Sequence, residues 1–255
     1  MNTDREKSAG IETTFGVVLL AAGASVRMGR AKLLLPWGET TVIGHLLGTW
    51  TEMGALQIGV VLAAGENAIQ AELDRLGVSR VRRIVNPDPE RGMFSSIQCA
   101  AHWDQWDSRI AHWAIVLGDQ PHLQHATLRA LLRFVAKHPA KICQPARRLE
   151  VGASTLRPRH PVILPRRFFE MLASSAHKTL RDFLSSLSAH VALMEIDDPG
   201  LDLNLNTPAD YSNAKRGTGS PIGQPPLVPS SPSAERGNKS GIIQTPNRER
   251  GNVND

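Results

Sequence analysis

Three segments of this 255-residue chain hold residue types that could handle a phosphorylated ligand. The first is Leu20-Ala21-Ala22-Gly23-Ala24-Ser25-Val26-Arg27-Met28-Gly29-Arg30-Ala31-Lys32, a run of small residues that ends in cations. Small side chains let backbone N–H groups approach an anion, and Arg27, Arg30 and Lys32 offer positive charge to polyphosphate oxygens. The second is Gly118-Asp119-Gln120-Pro121, whose single carboxylate can hold a hard cation such as Mg2+ against a phosphate. The third, from Asn86 through Gly92 to Ser95 and Ser96, opens a helix with backbone N–H groups and hydroxyls that suit a base edge or a sugar. Each has a plainer reading: a glycine-rich turn with solvated cations, an Asp119 that caps the helix beginning near His125, and a Ser95 that is only an N-cap.

Several well-known sites are excluded by spacing. Five residues rather than four lie between Gly23 and Gly29, and Arg30 follows where a Lys should be, which breaks the Walker A pattern; no G-x-G-x-x-G is present. Arg27 stands where a nucleophile elbow around Ser25 needs glycine. The histidines show no H-x-x-x-H or His/Cys spacing that would make a metal cage. Trp103, Trp106 and Trp113 read as packing residues rather than as a stacking platform.

The elements that must position these segments alternate along the chain. Apolar and β-branched runs predict strands at Phe15 to Leu20, Gln57 to Ala63, Arg80 to Val85, His112 to Leu117, Lys141 to Pro145, Arg159 to Leu164 and Val191 to Ile196. Helical periodicity fills the gaps at Thr41 to Met53, Asn67 to Leu76, Ser95 to Trp106, Ala126 to His138, Pro165 to Leu172 and Lys178 to Leu187. Such alternation predicts an α/β fold with a mostly parallel sheet and helices on both faces. Sheets of that kind bind ligands beyond the carboxyl ends of their strands, where the first two segments fall.

Composition narrows the setting. No apolar run approaches the roughly 18 residues needed to cross a bilayer, and nothing reads as a signal peptide, so a cytoplasmic protein with no membrane partner is expected. Two cysteines, Cys99 and Cys143, are read as free thiols. Of the formal net charge of +5, residues 212–255 carry six Lys/Arg and three Asp/Glu, scattered among Gly, Pro, Ser and Asn without an aromatic residue. That composition predicts a disordered tail and no nucleic-acid partner. Residues 1–14 are expected to form a flexible arm, and 15–211 a single domain.

The run from Leu20 to Lys32, continued by Leu33-Leu34-Leu35-Pro36, resembles the L-A-A-G-x-S-x-R-M-G-x-x-K-L-L-L-P motif of the molybdenum cofactor cytidylyltransferases, relatives of the guanylyltransferases. The resemblance covers about Phe15 to Tyr211. It implies a three-layer Rossmann-like, glycosyltransferase-A-like fold. It also implies a Mg2+-dependent reaction in which the terminal phosphate of molybdopterin takes CMP from CTP and pyrophosphate leaves. On this basis Leu20 to Ser25 cradle the triphosphate, Arg27 and Lys32 bind it, and Asp119 in G-D-Q-P is the principal metal ligand. Asn86, Gly92, Ser95 and Ser96 meet the base and ribose. Ala22 stands where GTP-using relatives tend to carry glycine, which favours CTP.

Two departures matter. Asp202-Leu203-Asn204-Leu205-Asn206-Thr207-Pro208 is similar to the family's D-I-D-T-P segment, with amides at Asn204 and Asn206 in place of aspartates, so either amide oxygen would be the second metal ligand. Thr207 there also suits an N-cap, with Pro208 at the first helical position. Arg157-Pro158-Arg159-His160-Pro161 is similar to an R-G-H-P segment on the acceptor side, with Arg159 in place of glycine, and Arg181 falls at a further acceptor-side position. A GTP-using or sugar-phosphate nucleotidyltransferase, and a non-catalytic factor delivering molybdenum cofactor to a molybdoenzyme client or its chaperone, remain alternatives.

Overall fold

β1 (Phe15–Leu20), β4 (Gln57–Ala63) and β6 (His112–Leu117) form where the apolar runs demand burial on both faces, and they lie side by side in parallel. The computed structural model describes residues 13–23, 31–78, 82–148 and 155–217. β5 (Arg83–Asn86) continues the parallel set beyond β4. On the other side, β9 (Val162–Pro165) pairs antiparallel with β6 and with β7 (Ile142–Arg147). β7 pairs parallel with β10 (Val191–Glu195). The main order is β10-β7-β9-β6-β1-β4-β5, with β8 (Arg157–Pro158) added against β7. A separate two-stranded ribbon joins β2 (Pro36–Trp37) to β3 (Thr40–Thr41).

Period-two alternation along the strands feeds two hydrophobic layers. Val17, Leu19, Val60, Leu62, Ala114 and Val116 face one, and Val18, Val61, Trp113 and Ile115 face the other. The first layer is closed by α1 (Val42–Glu52), α2 (Asn67–Arg75), α4 (His125–Lys137) and α7 (Pro208–Gly217). The second is closed by α3 (Met93–His102), α5 (Arg166–Ala173) and α6 (Leu180–Ser186). α4 shows why such segments are helices here: Leu128, Leu131, Leu132 and Val135 fall on one buried stripe at helical spacing. The expected three-layer α/β fold is therefore observed.

Most expected elements appear within one or two residues of their bounds, and the larger differences have identifiable causes. The strand expected at Arg80 to Val85 begins at Arg83; residues 79–81 lie outside the described residues. Of the strand expected at Arg159 to Leu164 only the part from Val162 is extended, in β9; Arg159, His160 and Pro161, the last two joined by a cis peptide bond, connect it to β8, which lies earlier in the chain. α3 starts at Met93 and stops at His102, because Trp106 folds back, donating its indole N–H to the Ala100 carbonyl at 2.8 Å and packing edge-on to Trp103 and Trp113. The chain also stays ordered past Tyr211. α7 runs to Gly217 and buries Ala214 and Lys215, so residues 212–217 belong to the domain and not to the expected tail. Residues 218–255 and 1–12 lie outside the described residues.

Candidate functional site

Parallel pairing in register brings the carboxyl ends of β6, β1 and β4 together on one edge of the sheet. The Ala21 amide donates to the Val61 carbonyl at 2.8 Å and the Gly118 amide to the Leu20 carbonyl at 3.2 Å, so the chain leaving each strand is held to its neighbour. Gly118 has to be glycine: a Cβ there would stand 2.7 Å from the Leu20 carbonyl oxygen and 2.9 Å from Leu33 Cδ2. This close approach aims the next residue, Asp119, along the edge of β1.

A cleft of about 620 Å³ opens there, lined by Leu20, Ala21, Ala22 and Gly23, by Lys32 and Asp119, by Gly92 and Ser96, and by Glu66. Lys32 lies on a one-turn 3-10 helix over Lys32–Leu34, and its Nζ donates to Asp119 Oδ2 at 3.0 Å. Both side chains are about four-fifths buried. Asp119 Oδ1, by contrast, is buried and has no hydrogen-bond partner among the described residues. Ala24, Ser25, Arg27 and Arg30 lie outside the described residues.

The segment after β10 is drawn to the same place. The Leu205 amide donates to the Asp119 carbonyl at 3.0 Å, and Asn204 Oδ1 is a second buried oxygen lacking a partner among the described residues. The two amides expected as alternative ligands are thereby separated. Asn206 is exposed, with its backbone N–H turned to Asp210 Oδ2 at 3.2 Å. It begins a reciprocal cap in which Thr207 Oγ1 accepts from the Asp210 amide while Asp210 accepts from the Thr207 amide. Hydrogen bonding to Thr207 pulls the Asp210 carboxyl below its usual range.

The helix-opening segment also divides. Gly92 and Ser96 line the cleft, whereas Asn86 and Ser95, expected to meet the nucleotide, are buried and occupied with each other. Asn86 Nδ2 donates to both Ser95 Oγ and Ser96 Oγ at 2.9 Å, and its Oδ1 accepts from the Asp88 amide. Ser95 Oγ returns its proton to the Gly92 carbonyl at 2.8 Å. Ser95 is thus inside α3, and Gly92, at φ +91, takes the N-cap position.

The four acceptor-side residues all line a second cleft of about 950 Å³. Met93 is common to the two cleft walls. Arg157 and Arg181 are exposed there. Arg159, expected on the acceptor side, is tied to Asp202, with Nε at 2.6 Å and Nη2 at 2.5 Å. Asp202 also pairs with Arg147, which reaches Asp197 at 2.9 Å. Burial pushes the His160 imidazole below its ordinary value, opposed by a backbone hydrogen bond to Ile115 and by the charge of Asp119. Its Nδ1 is buried and has no partner among the described residues.

Two features escaped the motif reading. Arg147 and Asp197 belong to no motif; they meet each other, and Arg147 meets Asp202, through β7–β10 pairing. Glu66 does carry a signal, since it follows a strand's carboxyl end, but no motif surrounds it.

A sheet covered on both faces, with a cation, a carboxylate and the small residues Ala21 to Gly23 at its carboxyl edge, is equipped to handle a nucleoside triphosphate: the molecule is a nucleotidyltransferase. The chain belongs to the MobA-like NTP transferase domain family, which it matches over residues 17–191. It is 24% identical to the molybdenum cofactor cytidylyltransferase of Escherichia coli K12 over 200 residues, covering 78% of this chain and 94% of that protein. The crystal structure of Rv0371c from Mycobacterium tuberculosis H37Rv is similar at 28% identity and a TM-score of 0.62, covering 79% of this chain and 97% of that one. A manganese complex of Rv0371c is similar at 25% identity and a TM-score of 0.56, covering 79% and 97%. No helix among the described residues is long and apolar enough to cross a membrane.

Proposed function

We propose that the protein transfers CMP from CTP to the terminal phosphate of molybdopterin. An acceptor phosphate oxygen attacks the α-phosphorus in line, the bond between the α-phosphorus and its bridging oxygen breaks, and pyrophosphate leaves with that oxygen. Such chemistry asks for positioning and charge neutralisation rather than a protein nucleophile. The observation that carries the reading is the Lys32–Asp119 pair in one cleft with the small residues Ala21 to Gly23. Similarity to the Escherichia coli cytidylyltransferase along nearly its whole length supports the choice of substrates.

In this reading Leu20, Ala21, Ala22 and Gly23 admit the triphosphate to the backbone, and Lys32 Nζ, with Arg27, offsets the charge that builds on it. Gly92 and Ser96 bound the nucleoside end of the cleft. Arg157, Arg181 and His160 face the acceptor in the second cleft, while Arg159 holds Asp202. A divalent cation fits the donor set. Asp119 Oδ1 and Asn204 Oδ1 are hard oxygen ligands, buried and otherwise unsatisfied, and the manganese complex of Rv0371c belongs to a similar chain. Bound there, Mg2+ would neutralise developing charge on phosphate oxygens.

The test is pyrophosphate release from purified protein with molybdopterin, Mg2+ and either CTP or GTP. Release with CTP at a rate well above GTP is expected. Release only with GTP would overturn the choice of base, and release with neither would overturn the transfer reading.

A further inference from the structure

One strand end on the cleft has no part in the phosphate chemistry. β4 stops at Ala63, the chain turns through Gly65 at φ +82, and Glu66 arrives in the cleft wall half-buried. Glu66 occupies the N-cap position of α2 without its side chain capping the helix. An oxygen-bearing side chain at that position ordinarily accepts from the first free helix amides. Among the described residues its carboxylate meets no hydrogen-bond donor and no cation.

Location restricts what that carboxylate can meet. β4 and β6 flank β1 on opposite sides, so Glu66 and Asp119 stand at ends of strands two inter-strand spacings apart, about 10 Å. A carboxylate without a cation opposes a triphosphate, whereas Asp119 is paired with Lys32. With the phosphates at the Lys32 end, the Glu66 end receives the uncharged part of the nucleotide. Pro89, Gly92 and Ser96, which follow β5, the neighbour of β4, line the same cleft.

We propose that Glu66 is a specificity-determining residue, its carboxylate accepting a hydrogen bond from the exocyclic amine of cytosine; this rests on the nucleotidyl-transfer reading. A carboxylate is the natural partner of the cytosine N4 amine. Uracil presents a carbonyl lone pair at that place, so the same carboxylate repels it. The established features of the cleft do not require this selection, because phosphate contacts are the same for every nucleotide.

The test is calorimetric titration of the full chain with CTP and with UTP, in Mg2+ and without acceptor, for the wild type, Glu66→Gln and Glu66→Ala. The wild type is expected to favour CTP by about tenfold to a hundredfold. Glu66→Ala should bring the ratio toward unity by weakening CTP. Glu66→Gln, which keeps the shape and can turn its amide N–H toward uracil O4, should strengthen UTP, an effect that a purely structural role would not produce. Equal wild-type affinities, or an unchanged ratio in both variants, would overturn the Glu66 assignment and leave the nucleotide cleft standing. Failure of the wild type to bind either nucleotide would overturn the nucleotide reading and this inference with it.

Discussion

Lys32 Nζ and Asp119 Oδ2 lie 3.0 Å apart although 87 residues separate them in the chain. They meet because β1 and β6 are parallel neighbours in register, with Leu20 beside Leu117, so the chain leaving each strand enters the same cleft. Lys32→Ala is expected to lower kcat/KM by about a hundredfold to a thousandfold, as loss of one preorganised donor does. Asp119→Ala is expected to lower it further, to a small residual rate, with the circular dichroism spectrum unchanged. Because the two groups act as a unit, the double variant should be no slower than Asp119→Ala alone. Steady-state kinetics on the three variants checks this, and additive losses would separate the two roles.

Gly118→Ala tests how Asp119 is placed. The new Cβ would meet the Leu20 carbonyl oxygen at 2.7 Å, a backbone atom that cannot swing away. A destabilisation of about 1–3 kcal/mol is expected from the forced shift. Activity should fall by more than the folded fraction does, since Asp119 moves with its neighbour. Urea titration alongside kinetics distinguishes the effects; wild-type values in both would show that the junction has slack.

Asn86→Ala leaves the Asp88 amide without its acceptor and removes a shared donor from two buried hydroxyls. A loss of about 1–3 kcal/mol is expected for unsatisfied buried groups. For a domain of this size that lowers Tm by roughly 2–4 °C per kcal/mol. CTP affinity should change less than it does for a residue in the cleft wall. A Tm equal to wild type would remove the clamp as a stabilising device.

Acid should destabilise the fold through His112. Burial lowers its pKa from 6.5, partly offset by its hydrogen bond to the Pro139 carbonyl. As pH falls the unfolded chain takes up the proton first, so stability is full above 6.5 and declines as pH drops below it toward the folded-state value. The urea midpoint should therefore fall between pH 7.5 and pH 5. His112→Gln, which cannot titrate, should flatten that slope, and an identical slope in the variant would exclude His112 as its source.

How much of this could be read from residues alone follows from the range of the forces involved. β1, β4 and β6 begin and end where the apolar runs do, because burial on both faces leaves a continuous hydrophobic stretch that local reading detects. The edges of the fold were less legible. β8 and β9 are divided at Pro161, and α3 stops short of Trp106, because long-range packing and pairing override local periodicity. The end of α7 was hidden for a similar reason: its polar run is helical where Tyr211 and Ala214 can pack on the sheet.

For the site, the amino-acid order by itself determined which residues could do phosphate chemistry: Leu20 to Gly23, Lys32 and Asp119 all lie at the cleft. Only the tertiary structure decided how similar residues divide their work. Asn204 keeps an unsatisfied buried oxygen while Asn206 is exposed beside a helix cap. Arg159 is bound to Asp202, and Asn86 and Ser95 hold each other. Partner choice among polar groups depends on distances across strands that are remote in sequence. Residue type states what a group can bond to, and the packed sheet determines which of those bonds is already made.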